Sequence, residues 1–64
     1  MKYKNIKTGE IYSVISTDVI NATNKNDGIR MVLYERIEKD DDSLTIIKFV
    51  REYNEFLEKF KRII

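Results

Sequence analysis

The chain has 64 residues, no cysteine, no histidine and a net charge of only +1, although 36% of its residues are charged. A chain of this length forms one domain, here residues 1–64, and buries only about 60% of the surface that it exposes when unfolded. Without cysteine there is no disulfide or thiolate, and without histidine the commonest general base and transition-metal ligand are missing. This composition predicts a binding protein without a cofactor, not an enzyme.

The apolar runs are short, and none approaches the roughly 20 residues that span a bilayer. The N-terminal lysines are not followed by an apolar stretch, so we expect no signal peptide and a cytoplasmic location in a bacterial cell. The near-neutral charge argues against a dedicated nucleic-acid binder, which usually carries a basic excess. Richness in Ile, Lys and Asn is typical of an AT-rich bacterial or phage genome.

Turn signals divide the chain into β-rich runs followed by one helical segment. The turns are Lys7-Thr8-Gly9, Asn24-Lys25-Asn26-Asp27-Gly28 and Asp40-Asp41-Asp42-Ser43. We expect a short edge strand at residues 2–6, then one long strand at residues 10–22, or two with a break near Ser16–Asp18. Further strands are predicted at residues 29–39 and 44–51, because β-branched and aromatic residues are enriched there.

The last segment has helical spacing. Its apolar positions are Phe56, Leu57, Phe60, Ile63 and Ile64, with Asn54 as the expected N-cap. Acidic residues near the start and basic residues near the end complement the helix dipole, and Glu55–Lys59 and Glu58–Arg62 add i,i+4 pairs. The predicted fold is α+β: a small twisted antiparallel sheet or partial barrel of four to five strands with one C-terminal helix.

Both faces of the predicted sheet carry apolar residues. In residues 29–37, alternation places Met31, Leu33 and Ile37 on one face and Arg30, Val32, Tyr34 and Arg36 on the other. In residues 44–51, it places Leu44, Ile46 and Val50 on one face and Thr45, Ile47, Phe49 and Arg51 on the other. One face must pack on the helix. The other is the inside of a barrel, a dimer surface or a ligand pocket.

The face that carries tyrosine and arginine is the candidate binding face, because aromatic rings stack on bases and arginine binds phosphate. Its candidate residues are Tyr12, Arg30, Tyr34, Arg36, Phe49 and Arg51. The alternative is that Tyr12, Tyr34 and Phe49 fill the core while the arginines stay in water. The loop Asn21–Asp27 adds Thr23 and Asn24 as candidate ribose contacts, or is only a hairpin connection.

Two charged segments have simpler interpretations. Asp40-Asp41-Asp42 is predicted to be a solvated turn, because the spaced oxygens, glycine bend and bidentate glutamate of a calcium loop do not follow it. Lys2, Lys4 and Lys7, interleaved with Tyr3, are predicted to protect an edge strand from pairing with other chains. The alternative for these lysines is contact with phosphate or nucleic acid.

Several short motifs together resemble a family of short uncharacterised bacterial and phage proteins. They are Tyr3, Gly9, Tyr12 with Val14, Thr23, Val32 with Tyr34, Phe49-Val50-Arg51 and Glu55-Phe56. The resemblance covers nearly the whole chain and implies an SH3-like β domain, with no activity attached to the family. It therefore specifies the predicted sheet as an SH3-like partial barrel.

A second resemblance concerns role. Phages encode very small proteins that act as sponges for the nucleotide signals of bacterial immunity, including the cyclic ADP-ribose isomers of the Thoeris system. This chain is similar to them in size, in its lack of catalytic residues and in its Tyr/Arg face, which implies an anti-defence protein that sequesters such a nucleotide. We expect a homodimer, because dimerisation would deepen the pocket enough to bury the ligand. Adenine would then meet Tyr12, Tyr34 or Phe49, the diphosphate Arg30, Arg36 or Arg51, and the ribose Thr23 or Asn24.

Two other hypotheses remain open. An SH3-like protein-interaction module would inhibit a host protein by occlusion. Binding of nucleic acid through the basic N-terminus and helix end ranks third, because the net charge is near neutral.

Overall fold

The computed structural model describes residues 1–25 and 27–64, which form a five-stranded antiparallel sheet and one short helix. The elements are β1 (Lys2–Asn5), β2 (Ile11–Asn21), β3 (Ile29–Lys39), β4 (Leu44–Glu52), α1 (Tyr53–Lys59) and β5 (Phe60–Arg62). The strand order is β4-β3-β2-β1-β5. The prediction of a small α+β domain with four to five strands is confirmed. No helix in the described ranges is long and apolar enough to cross a membrane.

β1 lies inside the sheet, between β2 and β5, so the prediction that it is an edge strand is wrong. β5 pairs antiparallel with β1, and beyond it the Lys2 carbonyl accepts a hydrogen bond of 2.9 Å from the Ile63 amide. The Lys2 amide in turn donates to the Ile64 carbonyl at 3.2 Å. Lys2 and Lys4 therefore do not protect an edge, and the two edge strands of the sheet are β4 and β5.

β2 and β3 form a long hairpin that bends. Two register irregularities interrupt β2, between Val14 and Ser16 and between Ser16 and Val19, close to the predicted break. Bulges of this kind increase the local twist of a sheet. In the connecting turn, Gly28 has φ of 86° and its amide donates to the Asn21 carbonyl at 2.8 Å. Asn26, part of the predicted turn signal and of the candidate loop, lies outside the described residues.

α1 differs from the predicted helix at both ends. Its N-cap is Glu52, whose carboxylate accepts hydrogen bonds from the amides of Asn54 and Glu55, so the prediction of Asn54 as the cap is wrong. The helix ends at Lys59, and Phe60 is extended, with φ of −126° and ψ of 147°. The backbone of residues 60–62 pairs with β1 and cannot continue the helix.

This early helix end changes two further predictions. Ile63 and Ile64 lie beyond β5, not on a helical stripe. Arg62 lies in β5, so the predicted helical pair with Glu58 does not form, and Glu55 pairs with Arg51 and not with Lys59 as predicted.

One face of the sheet, which we call the covered face, packs against α1 and holds the core. The buried core residues are Tyr12, Val32, Tyr34, Phe56 and Phe60, with Tyr3, Val14, Phe49 and Tyr53 packed against them. Phe56 from α1 and Phe60 stack with ring centroids 4.3 Å apart. The core is therefore built mainly from aromatic rings, which bury much area per residue and suit a very small domain.

The opposite face, which we call the uncovered face, remains exposed. Its large aliphatic side chains include Ile37 (63% exposed), Ile46 (54%) and Val50 (57%). The cross-strand register confirms the alternation predicted for β3 and β4, since Leu33 lies opposite Val50 and Ile37 opposite Ile46. The face that carries tyrosine and arginine is the one that packs on the helix.

Candidate binding surfaces

Tyr12, Tyr34 and Phe49 come together in the core, as in the alternative interpretation of these aromatic residues. The Tyr34 ring stacks on Phe49 with centroids 5.4 Å apart, and Tyr12 meets both rings edge-on. Tyr34 also contacts Phe56 and Phe60, and only 3% of it is exposed. A base that stacked on Tyr34 would first have to displace an aromatic neighbour.

Arg36 lies at one rim of the covered face, between two carboxylates. Its Nη1 donates to Glu10 at 2.8 Å and to the Tyr12 hydroxyl at 3.1 Å, while Nη2 donates to Glu38 at 2.6 Å. The hydrogen bond to Glu38, followed by the one to Tyr12, raises the pKa of Arg36 above its usual value. A phosphate approaching Arg36 would compete with both carboxylates.

The Tyr12 hydroxyl belongs to the same group and donates to Glu10 at 2.9 Å. Burial, supported by this hydrogen bond, raises the pKa of Tyr12 above 10.0. The phenol therefore stays neutral at physiological pH and acts as a structural link between the core and the surface ion pairs.

Arg51 joins β4 to the helix. Its Nε donates to the Tyr34 hydroxyl at 3.2 Å, and its Nη1 donates to Glu55 at 2.6 Å. The hydrogen bond to Tyr34 is the main reason that the pKa of Arg51 is raised. Only one carboxylate is bonded to Arg51 within the described residues, and its side chain borders a cleft.

The remaining predicted site residues lie elsewhere. Arg30 donates from Nε to the Thr17 carbonyl at 2.7 Å, pairs with Asp18, and lies over the Tyr53 ring at 3.8 Å. Arg30 and Arg36 are six positions apart on β3, which corresponds to about 20 Å in an extended strand. Thr23 and Asn24 are exposed in the turn beyond Asn21. The structure thus divides the predicted nucleotide contacts among separate places.

A cleft of about 380 Å³ lies between the β1–β2 turn and α1. It is lined by Asn5, Ile6, Lys7, Thr8, Arg51, Glu58 and Lys59. The Ile6 amide donates to the Lys59 carbonyl at 2.9 Å, which fixes the helix end beside the turn. Within residues 1–25 and 27–64, neither Lys7 nor Lys59 forms an ion pair. The cleft therefore carries excess positive charge that suits an anion.

The sequence did not reveal this cleft. Arg51 was among the predicted site residues, but Lys7 was assigned to an N-terminal basic patch and Lys59 to the helix end. These two lysines come together only because β5 returns to β1 and brings the end of α1 against the first turn. No local motif in the sequence marks that contact.

The uncovered face has an ordered pattern across β3 and β4. Leu33 lies opposite Val50, Glu35 opposite Lys48, and Ile37 opposite Ile46. The Lys48 Nζ and a Glu35 carboxylate oxygen are 3.8 Å apart, so one ion pair lies between two aliphatic levels. Exposed aliphatic side chains grouped around a single ion pair in this way are typical of interaction sites in soluble proteins.

Comparisons with protein-family models, with curated proteins and with solved structures found no match to this chain. The resemblance to short bacterial and phage proteins stays a prediction. Functional proposals for the chain accordingly rest on its two surfaces, the uncovered face and the basic cleft.

Proposed function

We propose that this protein is a non-catalytic binding protein that works by contact with another protein chain through its uncovered face. The observation that supports this most is the row of exposed aliphatic side chains on β3 and β4, among them Ile37, Ile46 and Val50. Removing apolar surface from water stabilises a complex by about 25 cal/mol per Å² before the costs of association. This is the protein-interaction alternative, placed on a different face from the one first expected.

The pattern on β3 and β4 supports contact over simple solvent exposure. An antiparallel sheet with one wet face usually alternates apolar residues inside with polar residues outside. Here Ile37, Ile46 and Val50 are exposed and aliphatic, Leu33 beside them is half-buried, and the charged pair of Glu35 and Lys48 lies between them. β4 is also an edge strand of nine residues, whose outer backbone groups can pair with an added strand.

The finer assignment to an SH3-like fold is part of the same proposal. Strands β1 to β4 follow one another in the sheet, one short helix follows β4, and β5 returns to pair with β1. The irregularities in β2 bend the sheet as a partial barrel requires. SH3-like modules often bind peptides on aromatic grooves, but the aromatic rings here are core, which favours the aliphatic face as the contact surface.

A photo-crosslinking amino acid tests this proposal inside bacterial cells. Placed at position 46 on the uncovered face, it should give one dominant adduct with a protein chain. Placed at position 57, where Leu57 is 47% exposed on α1, it should give none. Equal yields of adducts at both positions, or no adduct at either, would refute the uncovered face as a specific protein contact.

A second candidate function is favoured by the basic cleft. Lys7, Arg51 and Lys59 surround a volume of about 380 Å³, within the range of roughly 300–1,000 Å³ found for small-molecule sites. A nucleotide second messenger such as a cyclic ADP-ribose isomer has the anionic diphosphate that these residues suit, and Ile6 offers an apolar contact. Capture without cleavage would make the protein an anti-defence sponge in an infected bacterial cell.

Thermal unfolding against a nucleotide panel tests this second candidate. The panel holds ADP-ribose, cyclic ADP-ribose isomers, cyclic dinucleotides and NAD. Ligand at 100 times its Kd stabilises by about 2.7 kcal/mol, which in so small a domain raises the melting midpoint by roughly ten degrees or more. The double variant K7E/K59E should lose the shift, and the distant control K39E should keep it. No shift with any compound removes this candidate.

A further inference from the structure

The uncovered face is complementary to itself. The three central cross-strand pairs on this face of β3 and β4 are Leu33 with Val50, Glu35 with Lys48, and Ile37 with Ile46, and the outer pairs are Met31 with Glu52 and Lys39 with Leu44. The two aliphatic pairs lie on either side of the central charged pair. We propose that the partner of this face is a second copy of the chain, packed face to face. The two copies are related by a two-fold axis that runs parallel to the strands and lies above the uncovered face, over the gap between β3 and β4. This inference rests on the proposed function and names its partner.

Rotation about such an axis places β3 of one copy over β4 of the other at the same height. Leu33 then faces the partner's Val50, and Ile37 faces the partner's Ile46. At the centre Glu35 faces the partner's Lys48, and by symmetry Lys48 faces the partner's Glu35. Every contact occurs twice, as a two-fold interface requires. Apolar residues meet apolar residues, and opposite charges meet at the centre.

The pair of Glu35 and Lys48 favours this axis over a two-fold axis that runs across the strands. A two-fold axis across the strands at the height of Glu35 would place Glu35 on the partner's Glu35 and Lys48 on the partner's Lys48. Like charges juxtaposed in an interface are unfavourable by up to several kcal/mol. The axis along the strands instead gives a ring of four alternating charges. The strands of the two copies are then nearly aligned, as in known face-to-face packings, where the sheets lie roughly 10 Å apart with their strands about 30° from parallel.

The ion pair within one copy leaves room for the second pair. Glu35 and Lys48 approach only to 3.8 Å, and the Lys48 side chain is 59% exposed. An ammonium has three donors and a carboxylate several acceptor positions, so each group can bond across the interface without losing its cross-strand partner. The contact uses two strands from each copy, less than the roughly 800 Å² per partner of standard interfaces. We therefore expect a concentration-dependent dimer.

Sedimentation equilibrium of the whole chain from about 10 µM to about 1 mM covers the Kd range of such a weak dimer. Wild type should change from monomer to dimer across this range. The single variants E35K and K48E should each associate about tenfold more weakly or worse, because each places like charges in contact. Far-UV circular dichroism of both variants verifies that the monomer remains folded.

A mixture of E35K and K48E tests the proposed pairing of charges across the interface. In a mixed dimer the two lysines of E35K face the two glutamates of K48E, so the mixture should associate as strongly as wild type or more strongly. Pairing between two β4 edges leaves Glu35, which lies on β3, outside the contact and predicts that E35K alone does not weaken association. Failure of the mixture to associate better than either variant alone would overturn the inference, as would a wild-type monomer at every concentration.

Failure of the dimer proposal does not by itself refute the proposed function. If wild type stays monomeric but the crosslinker at position 46 captures a different protein, the uncovered face is a protein contact and the second copy is not its partner. If the crosslinker captures nothing and the protein is monomeric, both proposals are wrong.

Discussion

The two faces of this sheet share the same strands but use different side chains. On the covered face, aromatic rings interlock at several angles around Val32, and Tyr12 and Tyr34 direct their hydroxyl groups to arginines at the rim. On the uncovered face, Leu33, Ile37, Ile46 and Val50 form a smoother aliphatic surface around one ion pair. The first face packs against irregular elements of its own chain, whereas the second suits a flat surface such as another sheet.

The difference follows from the size of the chain. A helix of seven residues covers only part of a sheet, so the core needs side chains that each bury a large area. The aromatic residues of this small domain are therefore concentrated on the covered face. An exposed aliphatic face contributes little to the folded monomer, and it becomes favourable only when something else covers it.

The largest expected effect is on the covered face. Phe56 is only 1% exposed, and F56A should lower the free energy of unfolding by about 3–5 kcal/mol because it leaves a cavity in the core. A domain of this length has a total stability of roughly 3–10 kcal/mol, so F56A should be largely unfolded or close to it. Urea denaturation measures this. The matched control L57A, on the exposed side of the same helix turn, should cost far less.

Threonine substitutions compare the two faces directly. Val32 is fully buried, and V32T should cost about 1–3 kcal/mol because a hydroxyl would lie in the core. Ile46 is 54% exposed, and I46T should change the stability of the monomer by no more than about 0.5 kcal/mol. Urea unfolding at micromolar protein concentration measures both. Equal losses would mean that the uncovered face is packed within the monomer.

Ionisation of Tyr12, at the rim of the covered face, should make the protein less stable at alkaline pH. Burial raises the pKa of Tyr12 above 10.0, so the folded state favours the neutral phenol. This contribution to stability is complete below pH 10 and is lost as the pH rises through the raised pKa of the folded state. Phenolate absorbance during a pH titration should show a late ionisation that is absent in Y12F. The fall in unfolding free energy above pH 10 should also be smaller in Y12F than in wild type.

The smallest effect on the stability of the monomer is expected from the ion pair at the centre of the uncovered face. E35Q removes the charge pair with Lys48 but keeps the shape of the side chain, and should cost the monomer only about 0.2–1 kcal/mol, as surface pairs usually do. The same variant should weaken self-association more than it weakens the monomer. If E35Q destabilises the monomer strongly, the ion pair serves the fold and not a contact between chains.

The sequence predicted the strands well, because alternation, turn residues and β-branched composition are local properties. The positions of β3 and β4 and the membership of their two faces match the structure closely. The helix end and the edge position of β1 were not predictable in the same way. Phe56 and Phe60 keep helical spacing although Phe60 is extended, because both reach the same core.

The candidate site was harder to predict for a related reason. Periodicity separated the two faces but could not say which of them the helix covers. Tyr12, Tyr34 and Phe49 have the side chains of a stacking site and also of a compact core, and the structure places them in the core. Lys7 and Lys59 meet only through the return of β5 to β1, which no local pattern encodes.

The hydrogen bonds between Lys2 and the segment Ile63–Ile64 have a consequence for chain connectivity. Residues 2 and 64 are neighbours in space, so a short linker between the two ends would close the backbone into a ring. Opening that ring at the exposed turn between Thr23 and Asn24 gives a circular permutant with the same sheet. In the permutant the β1–β5 pairing becomes a local hairpin, but the longer β2–β3 pairing joins the two ends of the new chain. Its contact order is therefore higher, and it should fold more slowly than the natural order of strands.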